Sequence, residues 1–332
     1  MAKANEKNNS IKMKKFAGSN DRISLLGFGC WGIGKAMWVG ADDTESKRAL
    51  RKAVDEGINF FDTALVYGNG HSEKLVGEIE KECGRQLFVA SKIPSKKREW
   101  PAASSSTLKE SFPKNHIIKS TEESLKNLKR DYLDLMQFHV WNDRWADNDE
   151  WKEAVEKLKK DGKVRFWGIS MNDNQPLNGI EAGKTGLIDS FQVIFNIFEQ
   201  KPAERLFPFC VENNISIIAR VPFDEGALTG NVDPSTEFPV GDFRNDYFQG
   251  KRKVDVKLRT DEIWNDVKSE TKSLAEAALR FIISFDAVTS VIPGMRKEKN
   301  LLANIASVKN GGLSPKLLEE LKVHRWDKNF YE

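Results

Sequence analysis

The chain is 332 residues long, enough for one large domain or two ordinary ones, and its 39% hydrophobic and 10% aromatic content is ample for a packed core. Its 52 basic residues nearly balance 49 acidic ones, and a formal charge of +3 excludes recruitment to nucleic acid or membrane by bulk charge. The three cysteines, Cys30, Cys83 and Cys210, are too few and too scattered for a disulfide framework or a zinc knuckle, and they fit a reducing compartment.

Residues 1–12, polar and rich in Lys and Asn, are expected to be a disordered tail ahead of a single domain over 13–332. They lack the apolar core of a signal peptide, and no run elsewhere reaches a membrane span, so the cytoplasm is the expected location. Met13–Ser24, centred on Gly18-Ser19-Asn20-Asp21, reads as a small hairpin. Ile23–Phe28 reads as a first buried strand, overlapping the string Gly27-Phe28-Gly29-Cys30-Trp31-Gly32. That string matches the dinucleotide fingerprint G-x-G-x-x-G. A Rossmann turn feeds directly into a helix, however, and here Gly34, Trp38 and Gly40 intervene before a helix opens near Thr44. The context therefore argues against the match.

Thr44–Glu56 is amphipathic and ends at Gly57, and the apolar run Ile58–Phe61 comes next as a buried strand. That strand ends in Asp62. Tyr67 comes five residues later in a loop with Gly68 and Gly70, and Ser72-Glu73 reads as the N-cap and first turn of a helix to Cys83. Strand Leu87–Ala90 runs into Ser91-Lys92, and Pro101–Pro113 reads as a loop. Helix Lys114–Leu128 precedes strand Leu133–Phe138, which ends at His139. Helix Glu150–Lys160 precedes strand Val164–Ile169, which runs into Ser170-Met171-Asn172. Strand Ser190–Phe195 carries Gln192, helix Ala203–Asn213 succeeds it, and strand Ile215–Ala219 leads into Arg220. Pro222–Lys257, rich in Gly, Pro, Asp and Phe, is long enough to be a functional loop. Helix Leu274–Phe285, strand Val288–Ile292, helix Asn300–Ser307 and helix Pro315–His324 complete the chain.

Eight apolar strands separated by helices, with no linker between them, imply an α/β (β/α)8 TIM barrel with an N-terminal hairpin and a long loop after strand 7. An open doubly wound sheet is the alternative. In a barrel the C-terminal strand ends share one rim, which collects Asp62, Lys92, His139, Ser170, Asn172 and Arg220, with Tyr67 reaching in from its loop. A tyrosine is a weak acid with a pKa near 10. An ammonium beside it would lower that value, Asp62 could hold Lys92 charged, and His139 could orient a carbonyl oxygen. Such a group suits protonating an oxygen that becomes negative as a hydride adds to its carbon. Taken alone, Asp62 and Lys92 have a lesser alternative as an ion pair capping the barrel, and a lone His139 is more often a structural histidine than a catalyst.

Asn59-Phe60-Phe61-Asp62-Thr63-Ala64, the Tyr67-Gly68 and Ser72-Glu73 pairs, Ser91-Lys92, His139 and Gly168-Ile169-Ser170 together resemble the aldo-keto reductase family. Gln192, Leu228-Thr229-Gly230 and Val291-Ile292-Pro293-Gly294 extend the resemblance, which spans about Ile23 to Ser307. It implies a catalytic tetrad of Asp62, Tyr67, Lys92 and His139, with Tyr67 as general acid. It also implies NADP(H) lying across the barrel mouth, a small-molecule carbonyl substrate, and no role for nucleic acid or membrane. Ser170, Asn172 and Gln192 would hold the nicotinamide amide, with Gly29, Trp31, Asp62 and Arg220 lining the same site. Gly294, Met295, Arg296, Asn300 and Asn304 would receive the adenosine phosphate. That segment joins a strand to a helix N-terminus and carries Arg296, Lys297 and Lys299, which favours an anion such as a 2′-phosphate. A solvated basic turn is the alternative. Many relatives place an aromatic where Arg220 stands, and a guanidinium can stack in its place. Substrate choice is expected to lie in the long loop and in Trp31, Trp100, Trp141 and Trp145. A cofactor-binding sensor without turnover, or a lyase using Lys92 as a Schiff-base amine, would need the same barrel.

Overall fold

The computed structural model describes residues 10–35 and 37–327. Eight parallel strands succeed one another in chain order round one sheet: β1 (Phe28–Gly29), β2 (Phe60–Asp62), β3 (Phe88–Ile93), β4 (Leu133–Phe138), β5 (Val164–Ser170), β6 (Ser190–Ile194), β7 (Ser216–Arg220) and β8 (Val288–Val291). Parallel bridges Leu26–Val291 and Gly29–Gly294 join the first strand to the last and close the barrel. The glycines of the G-x-G-x-x-G string serve this seam. A Cβ on Gly27 would lie 2.5 Å from the Phe60 ring, and one on Gly29 would lie 2.6 Å from the Ile292 carbonyl oxygen. Beyond the seam the chain makes a single 3-10 turn, Trp31–Ile33, in place of the helix that a dinucleotide turn requires.

Helices Asp43–Asp55, His71–Cys83, Lys114–Leu128, Asp149–Lys160, Pro202–Glu212, Leu274–Ile283 and Glu298–Lys309 lie outside the sheet, each burying an apolar stripe against it. Only one helical turn, Ile180–Gly183, comes after β5. The run expected as one strand over Ile23–Phe28 divides in two. Arg22–Ser24 pairs antiparallel with Met13–Lys15 as the hairpin, and Phe28–Gly29 pairs with β2 in the barrel, with Leu26 bridging to Val291. Of the expected tail, residues 1–9 fall outside the described residues, and Ile11 is buried.

The hairpin turn carries Phe16, which plugs the N-terminal end of the barrel. Its ring sits 4.9 Å from Phe88 and 5.0 Å from Phe166, in a cluster with Ile23, Phe60, Ala90, Leu135, Ile218 and Ile292. Side chains alternate along a strand, so residues two apart share a face. Asp62 stands two residues beyond Phe60, Lys92 two beyond Ala90, Gln137 two beyond Leu135 and Arg220 two beyond Ile218. The barrel interior thus changes from apolar to polar within one pleat.

The segment after β7 carries a 3-10 stretch, Asp224–Thr229, and one helical turn, Arg244–Tyr247, before a full helix, Arg252–Val267, so the loop expected over Pro222–Lys257 is partly helical and ends early. Val256, Thr260, Ile263 and Val267 form its buried apolar stripe, narrow and wholly β-branched, which makes a weak helical signal. The loop expected over Pro101–Pro113 contains one helical turn, Leu108–Ser111, fixed by a Thr107–Glu110 capping box. Among the described residues, no helix is long and apolar enough to cross a membrane.

Candidate active site

The polar layer is organised by Lys92 at the C-terminal end of β3. Its Nζ donates to Asp62 Oδ2 at 2.6 Å, to the Thr63 carbonyl at 2.8 Å and to the Tyr67 hydroxyl oxygen at 3.3 Å. An ammonium has three N–H bonds, and each has an acceptor. Lys92 and Asp62 are both buried, so their charges need more than each other. Asp62 Oδ1 accepts from Gln192 Nε2 at 2.7 Å and, at the limit of a hydrogen bond, from Gln137 Nε2 at 3.4 Å.

Tyr67 is placed by its loop. Gly68, Asn69 and Gly70 all take positive φ (65°, 50° and 83°), closing a tight turn before helix His71–Cys83. A Cβ on Gly68 would lie 1.9 Å from the Gly34 carbonyl oxygen, so the loops after β1 and β2 interlock backbone to backbone. The Trp31 ring stacks on Tyr67 at 6.4 Å, and His139 stands edge-on to it at 5.9 Å. Trp100 meets His139 edge-on at 4.8 Å. Asp62, Tyr67, Lys92 and His139 are therefore brought together, as the strand ends require.

Ser72 is not the N-cap; Gly70 occupies that position. Ser72 Oγ donates to the Cys30 carbonyl at 3.0 Å and accepts from Thr63 Oγ1 at 2.8 Å, tying the end of β1 to the end of β2. Glu73 beside it is buried and accepts from Ser91 Oγ at 2.5 Å and Asn127 Nδ2 at 2.8 Å. It fixes the residue next to Lys92, and burial raises its carboxyl above the usual range.

Electrostatics correct one expectation. Burial pushes the Tyr67 phenol above its ordinary value and outweighs the lowering by Lys92, so the phenol is firmly protonated in the free protein. For Lys92, burial favours the neutral amine, but the Asp62 charge and the phenol more than offset it, and the group stays an ammonium. Burial, reinforced by Lys92 and Arg220, drives His139 well below the usual histidine range, so its ring is neutral at pH 7.

Arg220 ends β7 on the same side. Its Nη2 pairs with Asp173 Oδ1 at 2.5 Å and donates to the Met171 carbonyl at 3.1 Å. Val221 after it takes φ 53°, a strained value for a β-branched residue, and Asn196 Nδ2 holds its carbonyl at 2.9 Å. Trp141 and Trp145, expected near the substrate, lie in the apolar core with Phe138 and Trp151. They stand behind β4 and form no part of the mouth. The loop after β7 does reach it. Phe243 lies 5.3 Å from Trp31, Phe243 N–H donates to the Met37 carbonyl, and Arg244 stacks on Trp38 at 4.3 Å.

Among the buried polar atoms without a partner are the Ser170 hydroxyl, at the end of β5, and Asn304 Nδ2, on helix Glu298–Lys309. A bound polar ligand could satisfy both atoms, which belong to residues expected to meet the amide and the adenosine-phosphate ends of a nicotinamide cofactor. Gly294 is exposed with open space about it, as close approach of a phosphate requires, and Met295 is packed in the apolar core. Arg296 is half-buried, with Nη2 on the Val39 carbonyl at 3.1 Å and Nη1 on that of Gly32 at 3.5 Å, and Asn300 is exposed on helix Glu298–Lys309. Asn172 is already engaged: its Nδ2 donates to the Trp141 carbonyl and Gln175 Oε1, each at 3.0 Å, and its Oδ1 accepts from Trp141 N–H. Gln137 and Asp173 join the site without having stood out in the sequence. Gln137 lies two residues before His139, a spacing that puts it on the inner face, and Asp173 comes after Asn172 without a motif of its own.

The aldo/keto reductase family model matches residues 25–325. Aldo-keto reductase YhdN of Bacillus subtilis is 30% identical over 298 residues, covering 88% of this chain and 87% of that protein. The aldo-keto reductase yakc [NADP(+)] of Schizosaccharomyces pombe is 27% identical, covering 90% of this chain and 87% of its own. Among solved structures, the glycerol dehydrogenase of Gluconobacter oxydans superposes with a TM-score of 0.76 at 27% identity, covering 94% of each chain.

Proposed function

The chain belongs to the aldo/keto reductase family of oxidoreductases, and on that footing we propose that it reduces an aldehyde or ketone to an alcohol at the expense of NADPH, with Tyr67 as the proton donor. The observation that carries this reading is the threefold anchoring of Lys92, which places an ammonium 3.3 Å from a protonated phenol. When bound, the cofactor supplies a hydride to the carbonyl carbon. As the carbon–oxygen π pair moves onto oxygen, Tyr67 gives up its proton to that oxygen, and Lys92 stabilises the phenolate left behind. Asp62 keeps Lys92 charged and in place. His139, neutral, orients the carbonyl oxygen without competing for the proton.

Ser170, Asn172 and Gln192 are assigned to the amide end of the cofactor, with Gly29, Trp31, Asp62 and Arg220 around the ring site. Gly294, Met295, Arg296, Asn300 and Asn304 are assigned to the adenosine phosphate. The unpartnered Ser170 and Asn304 atoms support these two ends, and the Arg296 charge supports NADPH over NADH. The reverse alcohol oxidation runs through the same groups.

The test is loss of NADPH absorbance with a panel of aldehydes, ketones and sugars, alongside NADH. Tyr67→Phe should lower turnover by about 10²- to 10⁴-fold while NADPH still binds, because only the proton donor is lost. Tight NADPH binding by the unaltered protein with no carbonyl turned over would sink the reading and favour a sensor.

A further inference from the structure

An arginine at the mouth of a catalytic barrel would ordinarily recruit an anion. Here Arg220 faces Asp173, and the contacts of Asp173 decide the matter. Asp173 is only 2% exposed, and both its oxygens are used. Oδ1 takes Arg220 Nη2 at 2.5 Å, and Oδ2 takes the indole Nε1–H of Trp100 at 2.6 Å. Trp100 is 40% exposed, yet three contacts fix its ring: this hydrogen bond, His139 at 4.8 Å and the Arg220 guanidinium at 5.6 Å. One buried carboxylate therefore sets both the charge and the flat wall on this side of the mouth.

The charges at the rim cancel. Lys92 is paired with Asp62, Arg220 with Asp173, and Tyr67 and His139 carry none. A substrate carboxylate entering here would have to compete with Asp173 for Arg220, at 2.5 Å and already desolvated, and would lose its own hydration. An uncharged planar carbonyl compound meets no such penalty and can lie against the Trp100 ring.

We propose that Asp173 is the positioning residue that sets substrate charge: by holding Arg220 and Trp100 together it makes the mouth select uncharged, planar carbonyl compounds over those bearing a carboxylate. This rests on the carbonyl-reductase reading above.

The experiment compares kcat/KM for benzaldehyde and for its para-carboxylate, with NADPH, in the full chain. The unaltered protein should favour benzaldehyde. Asp173→Asn keeps an acceptor for Trp100 but frees the Arg220 charge, and should shift the ratio toward the carboxylate by about tenfold or more, mainly through KM. Arg220→Gln, which leaves Asp173 negative, should shift it the opposite way. Because both substrates share the cofactor, any change in cofactor binding cancels in the ratio. Trp100→Phe should raise KM for both substrates and leave their ratio within about twofold. If Asp173→Asn does not fold, Arg220→Gln carries the test alone. A ratio unmoved in both charge variants overturns the inference while leaving the reductase reading intact. Absence of any turnover by the unaltered protein overturns both.

Discussion

At its plugged end the barrel interior consists of Phe16, Phe60, Phe88, Leu135, Ile218 and Ile292, packed ring against ring and branch against branch. One or two pleats along the same strands, the interior holds Asp62, Lys92, Gln137 and Arg220, equally enclosed by backbone but bonded through polar atoms. The plugged end is stabilised by area removed from water, which is non-directional and tolerant of shape. The mouth is stabilised only where each buried charge has its partners, because an unpaired one is strongly unfavourable. Stability at one end therefore depends on volume, and at the other on completeness.

The sharpest break of this contrast is Lys92→Met, which keeps bulk and removes the charge. Asp62 would be left buried without its cation, a loss of about 3–5 kcal/mol. Turnover should vanish with it, and the double variant Lys92→Met with Asp62→Leu should recover much of the stability and none of the activity. Urea unfolding with a carbonyl assay reads both. Phe16→Ala acts at the other end. It should cost about 3–5 kcal/mol through an unfilled cavity, while kcat of the protein that remains folded stays near its original value. A kcat that fell with Phe16 would mean that the two layers are not separable.

The plugged end is the more legible of the two in the sequence. Apolar runs and helical spacing locate the eight strands because burial on both faces needs nothing but apolar residues. Where Ile23 passes from hairpin to barrel, hydrophobicity is the same on both sides, and the break leaves no mark. At the mouth, Asp62, Tyr67, Lys92 and His139 are legible because strand ends share a rim. Their electrostatic balance is not: spacing places Lys92 beside Tyr67 but does not say how far burial outweighs it. Gln137 and Asp173 escape a sequence reading because an uncharged amide and a loop carboxylate become informative only through what they touch.

Completeness at the mouth can be graded. Gln192→Met removes a 2.7 Å hydrogen bond to the ionised Asp62 and should cost about 1.5–3 kcal/mol. Gln137→Met removes a 3.4 Å one and should cost about 1 kcal/mol or less, with the methionine stem filling the same space against Gly168. Equal losses would show that the Gln137 amide holds Asp62 as firmly as that of Gln192 does, and the grading by distance would fail.

A last comparison separates the two ends by pH, since of the two only the mouth carries titratable groups. His139 lies well below 6.5 in the folded chain, so on acidification the unfolded chain binds a proton that the folded one refuses. Its contribution to stability is complete above pH 6.5 and is lost as pH falls toward the folded value. Tyr67 and Lys92 act on the other side. Both are raised, so their contributions are complete below 10.0 and 10.5 and are lost as pH rises through the folded values. His139→Gln should therefore flatten the acid limb of the stability profile by up to about 1.4 kcal/mol per pH unit and leave the alkaline limb alone. Tyr67→Phe should do the reverse, easing the alkaline limb only. Urea midpoints across a pH series measure both slopes. An acid limb unchanged by His139→Gln would place the acid-sensitive group outside the mouth, and burial of a neutral histidine beside Lys92 would no longer account for any of the pH response.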